Sequence, residues 1–482
     1  LDSSQYTVGT RIMYAEDKTK TPIEVHHFTP TVGGVYTIYK DITLGDQKKT
    51  YSYNIYVASA TANVGFDGAP SIKVNRDGYS ISGPVTNATG VLYAYSSKTE
   101  ITDITPEKVK ELGKGYQFKA DKINFQFEND NSGNYFIYYA LFNMHGDPTQ
   151  QYYQEAKGVT AANFSSKTYY LDANGIEIAG SFNEKAKYYE KVAVGRIAVT
   201  TVNIKDANDL ESALTTNDSS TIYLLTADID MSAKTSWKAS SFYGLLNGLG
   251  HTIKNFTIKG ESDSTASLIS KLEGGTIENV KFENIDITNS KNKVGIIATT
   301  YGGFLHNIAM TDIHVKGAVR VGALVGQAMT GDLYVDQISL INTPNAEKYY
   351  EKQAAGKVNE TNFRLDTYYS KVGDEFVKQT EFEAGKEYYI RRVDIEGERS
   401  AAVIGFIQAS QATESTKTYI DNVYVDSVIG GAVNKYVGGV VGSADDQNAK
   451  DVLEIDHVFS KVTIYSNTYA GGVLGSHNKG WL

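Results

Sequence analysis

Apolar and polar residues alternate along residues 1–150, which predicts short β-strands separated by turns. Three clear strand patterns cover residues 35–39, 51–57 and 90–95, and the continuous apolar run 135–142 indicates a buried strand. One short helix is predicted after Thr105, which has an N-cap side chain and is followed by Pro106. The spacing of the turns favours one or two small Ig-like β-sandwiches in this region.

A second pattern, in which two tyrosines stand side by side, recurs at two places in the chain. Copies of about 17–20 residues fill residues 151–197 and again residues 345–396, and each copy has a central turn. A pair of short strands around a turn predicts that each copy is a β-hairpin.

The tyrosine pairs are the best candidates for ligand binding. Neighbouring residues of a strand face opposite ways, so we expect one ring of each pair to be packed inward and the other exposed. Exposed Tyr rings offer flat, amphipathic surface for sugars or proteins. The candidate binding residues are Tyr169, Tyr170, Tyr188, Tyr189, Tyr349, Tyr350, Tyr368, Tyr369, Tyr388 and Tyr389. The alternative is that both rings of a pair form the small core of the hairpin.

From residue 198 onward the pattern changes to a longer repeat, with a period of about 23–35 residues outside the insertion at 345–396. A short helix capped by Asp206 opens this region. Each copy has a Gly-rich apolar segment, such as 321–326, and then an amide or His between apolar residues, as in 305–308. Short strands with Gly at the bends predict a parallel β-solenoid, which covers residues 198–344 with an N-terminal cap and resumes at 397–482.

Amide side chains at equivalent bends of a solenoid can hydrogen-bond from coil to coil, so we expect a structural ladder there. Its predicted members are Asn255, Asn279, Asn307 and Asn422. The last copy of the repeat reaches Leu482, so we expect further chain beyond that residue. An uncapped solenoid end would also favour self-association through the exposed strand edges.

The Gly-rich segments resemble the GLUG motif of bacterial surface proteins. The segment 225–230 followed by 242–258 is similar to the opening of that repeat, although Asn247 and Leu249 stand where Asp and Asn are commoner. The resemblance covers about residues 200–482. It implies a right-handed parallel β-helix on a secreted or cell-wall-attached bacterial protein, often an adhesin. Zinc peptidases that carry such repeats have an H-E-x-x-H helix, which this sequence lacks.

Composition and charge argue against nucleic-acid binding, cysteine chemistry and helical membrane insertion. The chain of 482 residues has a net charge of −10 and no Lys/Arg-rich run, so nucleic acid is not an expected partner. Cysteine is absent, which excludes disulfides, Cys-ligated zinc, iron–sulfur clusters and cysteine nucleophiles. The apolar runs are too short for membrane insertion by a helix.

Catalytic and metal chemistry is weakly indicated. Carboxylates on adjacent coils of a β-helix can cleave polysaccharides, but the candidates here do not fall at one offset from the amide column: Asp286, Asp312, Asp336, Asp426 and Asp456. His306 and His314 lack an acidic third ligand at suitable spacing, so no zinc site is predicted. The segment 445–451 is a weak candidate calcium loop, and no other cofactor is expected.

The sequence therefore predicts an all-β, non-catalytic protein of the bacterial cell surface, either an adhesin or a structural stalk. Its expected partners are host-surface or extracellular glycans and proteins. Two alternatives remain open at this stage. One is a phage tail fibre or another virion receptor-binding protein, and the other is a polysaccharide-active β-helix enzyme.

Overall fold

The computed structural model describes most of the chain, namely residues 7–14, 23–24, 34–44, 46–57, 64–130, 132–149, 152–156, 159–165, 169–171, 176–178, 181–216, 218–260, 265–289, 292–342, 347–364, 367–408, 416–430, 435–445 and 452–478. The chain forms two compact units, Leu1–Thr201 and Val202–Leu482. Strands make up most of both units, so the all-β expectation is confirmed. Neither helix of the described chain, seven and nine residues long, could span a membrane.

The first unit begins with an antiparallel sheet in the order β2-β1-β3-β4. Its strands are β1 (Thr7–Tyr14), β2 (Ile23–Glu24), β3 (Gly34–Leu44) and β4 (Gln47–Val57). Asp41 on β3 accepts hydrogen bonds from the Arg11 guanidinium and from the Thr50 hydroxyl of the flanking strands. These contacts join the three long strands by side chains as well as by the backbone.

Two further antiparallel sheets of this unit have the orders β5-β6-β9 and β8-β7-β10-β14. Tyr79 of the first sheet packs against Tyr135 of the second, with ring centroids 6.5 Å apart. Their elements are β5 (Ser71–Asn75), β6 (Gly78–Pro84), β7 (Thr89–Ser97), α1 (Pro106–Leu112), β8 (Lys114–Lys119), β9 (Lys122–Glu128), β10 (Tyr135–Phe142) and β14 (Gly195–Ile204). Local predictions hold here, because Thr105 caps α1 and β10 is almost wholly buried.

Each tyrosine-pair region folds as one small sheet. The predicted hairpin is present in the second copy of region 345–396, where Tyr368–Val372 pairs with Glu375–Lys378, whereas the first strand of each region pairs with the last strand and forms no hairpin of its own. Module 1 (residues 152–192) has three strands and module 2 (residues 347–391) has four, and in both the last strand along the chain lies between the first and the second. The strand that begins within the last tyrosine pair is central in each module and pairs with the strands of both earlier tyrosine pairs. The strands of module 1 are β11 (Tyr152–Glu155), β12 (Tyr169–Tyr170) and β13 (Tyr189–Val192).

The second unit opens with α2 (Ala207–Thr215), whose cap Asp206 accepts hydrogen bonds from the amides of Asn208 and Asp209. Its strands up to module 2 are β15 (Thr221–Leu225), β16 (Ile229–Asp230), β17 (Ser241–Phe242), β18 (Leu245–Asn247), β19 (Thr252–Lys254), β20 (Thr257–Gly260), β21 (Thr265–Ala266), β22 (Ile269–Leu272), β23 (Thr276–Asn289), β24 (Lys293–Val294), β25 (Ile297–Thr300), β26 (Gly303–Lys316), β27 (Arg320–Gly322), β28 (Val325–Ala328) and β29 (Leu333–Ile341). Module 2 follows with a 3-10 turn (Glu347–Tyr349) and the strands β30 (Tyr350–Lys352), β31 (Tyr368–Val372), β32 (Glu375–Lys378) and β33 (Tyr389–Arg391). The remaining strands are β34 (Ile395–Glu396), β35 (Arg399–Ala401), β36 (Ile404–Ile407), β37 (Lys417–Gly430), β38 (Tyr436–Gly438), β39 (Val441–Asp445), β40 (Val452–Ile455), β41 (Val458–Tyr465), β42 (Tyr469–Gly471) and β43 (His477–Asn478).

Successive coils of this unit stack in register and form three parallel sheets. Two of them follow the orders β17-β22-β25-β28-β36-β39-β43 and β21-β24-β27-β35-β38-β42, and the third is built on the long strands β23, β26, β29 and β37. Apolar side chains from all three sheets meet in one continuous core. Glycine stands at the bends because there is no room for a side chain: a Cβ on Gly322 would lie 2.0 Å from the Val325 carbonyl oxygen.

Candidate functional site

The ten candidate tyrosines do not present one exposed ring per pair, so that prediction is wrong. Five of them are buried, namely Tyr188, Tyr349, Tyr350, Tyr388 and Tyr389. The other five are half-buried: Tyr169, Tyr170, Tyr189, Tyr368 and Tyr369. In module 2 the rings pack in two aromatic clusters, one of Tyr350, Tyr369, Phe376 and Tyr389 and the other of Phe363, Tyr368, Phe382 and Tyr388. The alternative weighed from the sequence, that the pairs form the core, therefore describes their packing.

One pair of tyrosine hydrogen bonds is repeated atom for atom in the two modules. In module 2 the Tyr388 hydroxyl accepts a hydrogen bond from the Glu383 amide at 2.7 Å and donates to the carbonyl oxygen of the same residue at 3.1 Å. In module 1 the Tyr188 hydroxyl makes both bonds to Asn183, at 2.6 and 3.2 Å. These tyrosines fix the loop before the central strand, so they are structural residues of each module.

Both modules have an ion pair at the same two positions, but the acidic and the basic residue are exchanged between them. Lys187 lies 3.0 Å from Glu155 in module 1, whereas Glu387 lies 2.5 Å from Lys352 at the corresponding positions of module 2. The same register of the outer and central strands brings these groups together in both copies. The two modules are therefore two versions of one fold with different surface chemistry.

Module 2 is fixed to the coils of its own unit by polar contacts. The Tyr349 hydroxyl donates to the carboxylate of Asp312, which also pairs with Lys348 at 2.8 Å. Burial and the neighbouring carboxylate raise the pKa of Tyr349 well above its usual value, so the phenol stays protonated as a donor. Arg391 and Asp394 form a bidentate ion pair at 2.8 and 3.0 Å, with both side chains buried.

Module 1 uses the equivalent first tyrosine to pack on the sheets of its own unit. The Tyr152 hydroxyl accepts a hydrogen bond from the amide of Leu141 at 3.0 Å, and its ring lies edge-on to Tyr139 at 5.0 Å. Burial raises the pKa of the Tyr152 phenol well above its usual value. The first tyrosine of each module is thus an anchor to the larger domain beside it.

Two amide columns, and not one, run along the long parallel sheet. Asn279, Asn307 and Asn422 lie at left-handed bends of the first column, with φ between 50° and 53°. The side-chain amide of Asn307 donates to Asn279 at 2.8 Å, and that of Asn422 donates to Asp336 at 2.9 Å. Asn is tolerated there because its short polar side chain suits the left-handed region.

Asn255 belongs to the second column, so its assignment to the same ladder is wrong. It is in register with Asn284, whose side-chain amide donates to the Asn255 oxygen at 2.8 Å. The Asn255 amide in turn donates to Asp230 at 3.0 Å. The shift arises because the first coil enters this sheet through three short strands, β18, β19 and β20, which all pair with the single long strand β23.

The candidate catalytic carboxylates do not converge. Each has its own partner: Asp286 lies 3.0 Å from His314, Asp312 binds Lys348, Asp336 lies 2.9 Å from His306, Asp426 binds Lys461, and Asp456 accepts from the His457 amide. Across the residues that the structure describes, no three His, Asp or Glu side chains are grouped as metal ligands. Of the candidate calcium loop, residues 446–451 lie outside the described part of the chain.

Aromatic rings also stack from coil to coil on the outer surface, a feature that the sequence analysis missed. Tyr334 and Tyr419 stack with centroids 4.9 Å apart and planes 8° from parallel. Tyr424 stacks on Phe459 at 5.1 Å, and the Phe459 side chain is 57% exposed. The sequence contains a signal for this stacking, because aromatic residues occupy equivalent positions in successive copies of the repeat.

The first unit contains a cleft of about 540 Å³ beside module 1. Its lining includes Tyr153, Gln154 and Tyr189 of the module, together with Glu100 and Arg196. The Arg196 guanidinium lies 2.6 Å from the Glu100 carboxylate. With the Gln154 amide oxygen facing it, Arg196 Nε also donates to that oxygen at 2.9 Å. Of these five residues only Tyr189 was a sequence candidate. Tyr153 belongs to the same tyrosine-pair pattern, whereas Glu100 and Arg196 come from other segments without a shared motif.

Comparisons with known proteins give limited matches. No family model matches the chain. Halomucin of Haloquadratum walsbyi is 33% identical over 158 residues, which is 29% of this chain and 2% of halomucin. The crystal structure of pectate lyase Pel3 from Pectobacterium carotovorum aligns with 83% of this chain and all of its own, at 9% identity and a TM-score of 0.16, too low to support an argument. The chain thus spans only a small fraction of the curated protein that it matches.

Proposed function

We propose that this chain is a non-catalytic, extracellular protein of the bacterial cell surface that binds glycan or protein ligands. In this proposal the parallel coils are a right-handed β-helix of GLUG-like repeats and act as a stalk attached to the cell wall. The sheets of residues 64–149 are an Ig-like sandwich. The two tyrosine-pair modules are rigid attachments whose free surfaces, with the neighbouring domain, provide the contact area for ligands.

The observation that carries this proposal is that polar side chains on the surface of the coils bind to one another from coil to coil. Amide columns, His–Asp pairs and Lys–Asp pairs link neighbouring coils, so these groups already have structural partners. Hydrolysis of a glycosidic bond needs two carboxyl groups facing one bond at about 5–10 Å. The five candidate carboxylates are each engaged separately, which supports a scaffold rather than an active site.

Two further observations support an extracellular binding protein. The described surface carries half-buried and exposed aromatic rings on successive coils, and rings of this kind are enriched at binding surfaces. The partial match to halomucin, a protein whose name marks it as mucin-like, favours a place outside the cell.

Binding of the whole 482-residue chain to an array of glycans and extracellular-matrix proteins tests the proposal. We expect saturable retention of at least one glycan or protein. A control protein of similar charge should not be retained, since the net charge of −10 would otherwise explain binding to basic ligands. A folded chain that retains nothing on the array would contradict a binding function.

A further inference from the structure

The two modules have the same fold but differ in how one face is covered. In module 2 the Phe376 ring stacks 3.9 Å from Tyr350 and lies 5.1 Å from Tyr389, so both tyrosines are buried. The corresponding segment of module 1, residues 176–178 beside Tyr170, contains no aromatic residue, and its Ile176 is 55% exposed. The equivalents of the two buried tyrosines, Tyr153 and Tyr189, are half-buried and line the cleft.

The polar groups of the cleft are already arranged around one another. Arg196 is held between Glu100 and the Gln154 amide oxygen, and its side chain is 20% exposed. Glu155 at the rim is paired with Lys187. Because Arg196 and Lys187 are each paired with a carboxylate, neither cation is left to attract an anionic ligand. The cleft therefore disfavours acidic ligands.

We propose that this cleft binds a short neutral saccharide. Its volume of about 540 Å³ lies within the range of small-molecule sites, which combine aromatic walls with a few fixed polar groups. The flat, weakly polar face of a sugar ring packs on Tyr153 and Tyr189. The hydroxyl groups at the ring edge bond to the side chains of Gln154, Arg196 and Glu100. This inference rests on the proposed function and names the ligand class and the place of binding.

The test compares four versions of the whole chain, namely the parent and three single-residue variants. The probes are neutral disaccharides of glucose, galactose, mannose and N-acetylhexosamines, with dimers of galacturonic and glucuronic acid as the charged set. Ala198→Trp places a large ring on an exposed position of the cleft lining and blocks the space. Gln154→Ala removes one polar partner, and Glu351→Ala is the matched control, because Glu351 is the equivalent residue on the outer strand of module 2. Titration calorimetry measures affinity, and circular dichroism checks folding.

We expect at least one neutral disaccharide and no uronic acid dimer to bind. Gln154→Ala should weaken binding about tenfold, Ala198→Trp should abolish it, and Glu351→Ala should bind like the parent. Neutral sugars that bind equally well to folded Ala198→Trp would overturn the cleft as the site, while leaving the surface-binding function intact. Exclusive binding of uronic acids would overturn the ligand class. If the array and the titrations both show no ligand at all, the proposed function falls together with the cleft.

Discussion

The buried ion pair beneath module 2 gives the sharpest prediction about what holds the second unit together. Asp394 is 1% exposed and accepts four hydrogen bonds: two from the Arg391 guanidinium, one from the Ser427 hydroxyl and one from the Val428 amide. We expect Asp394→Ala to destabilise this unit strongly, because it removes the acceptor of all four bonds at once.

The size of the effect follows from what stays behind. Removing one partner of a buried ion pair leaves an uncompensated charge and costs about 3–5 kcal/mol. Arg391 retains bonds to backbone carbonyls and a ring contact 4.5 Å from Tyr349, which offset part of the loss. We therefore expect a loss of about 3 kcal/mol for Asp394→Ala. Asp394→Asn should cost less, because its amide oxygen still accepts hydrogen bonds.

Urea denaturation followed by tryptophan fluorescence measures this free energy of unfolding. Trp237 packs against the core of the second unit, so its fluorescence reports the unfolding of that unit. The matched control is Glu383→Ala, which removes an exposed ion pair with Lys386 in the same module and should cost less than about 1 kcal/mol. If Asp394→Ala costs no more than this control, the buried pair does not anchor the module and the reasoning is refuted.

Three other outcomes follow from the same contacts. Tyr388→Phe should lower the free energy of unfolding of module 2 by about 1–3 kcal/mol, measured by amide exchange of its strands, because the Glu383 amide loses its acceptor; an unchanged exchange rate would contradict this. Asn307→Ala should cost about 1–2 kcal/mol more than Asn307→Gly in urea titrations, since the backbone there is left-handed at φ 50° and only glycine adopts it freely; equal costs would argue against strain at this bend. The hydrogen bond to Asp421 raises the pKa of His457 above 6.5, so this pair stabilises the folded chain below about pH 6.5 and the stabilisation is lost as pH rises through the folded pKa. An NMR titration should show this raised midpoint and a lower midpoint in Asp421→Asn, in which the charge of Asp456 still raises the pKa of His457.

What the sequence predicted correctly depends on local chemistry. The cap at Thr105, the cap at Asp206 and the buried strand 135–142 each require only neighbouring residues, and all three are present. Coil stacking was also predictable, because a repeated pattern of apolar residues and bends determines which segments become equivalent.

The errors arose where contacts between distant segments decide the outcome. Alternation along a strand places the two rings of a pair on opposite faces, but it does not reveal that both faces are covered. In module 2 that cover comes from Phe376 and from the packing of Tyr349 near Asp312, which are set by tertiary contacts. Asn255 was misplaced because register between coils depends on how the first coil enters the sheet. The cleft residues Glu100, Gln154 and Arg196 share no local pattern.

The central claim is that the chain binds its ligand without cleaving it, and the most direct test is whether a bound glycan stays intact. The whole chain is incubated with the glycan that it retains best, and two quantities are followed together: bound glycan and newly formed sugar ends. A non-catalytic surface protein predicts saturable binding with no new ends over many hours. The claim would be contradicted if new sugar ends accumulated in proportion to the amount of protein. Loss of these ends in Asp336→Asn, which removes the carboxylate partner of His306, would then identify the coil surface as an active site.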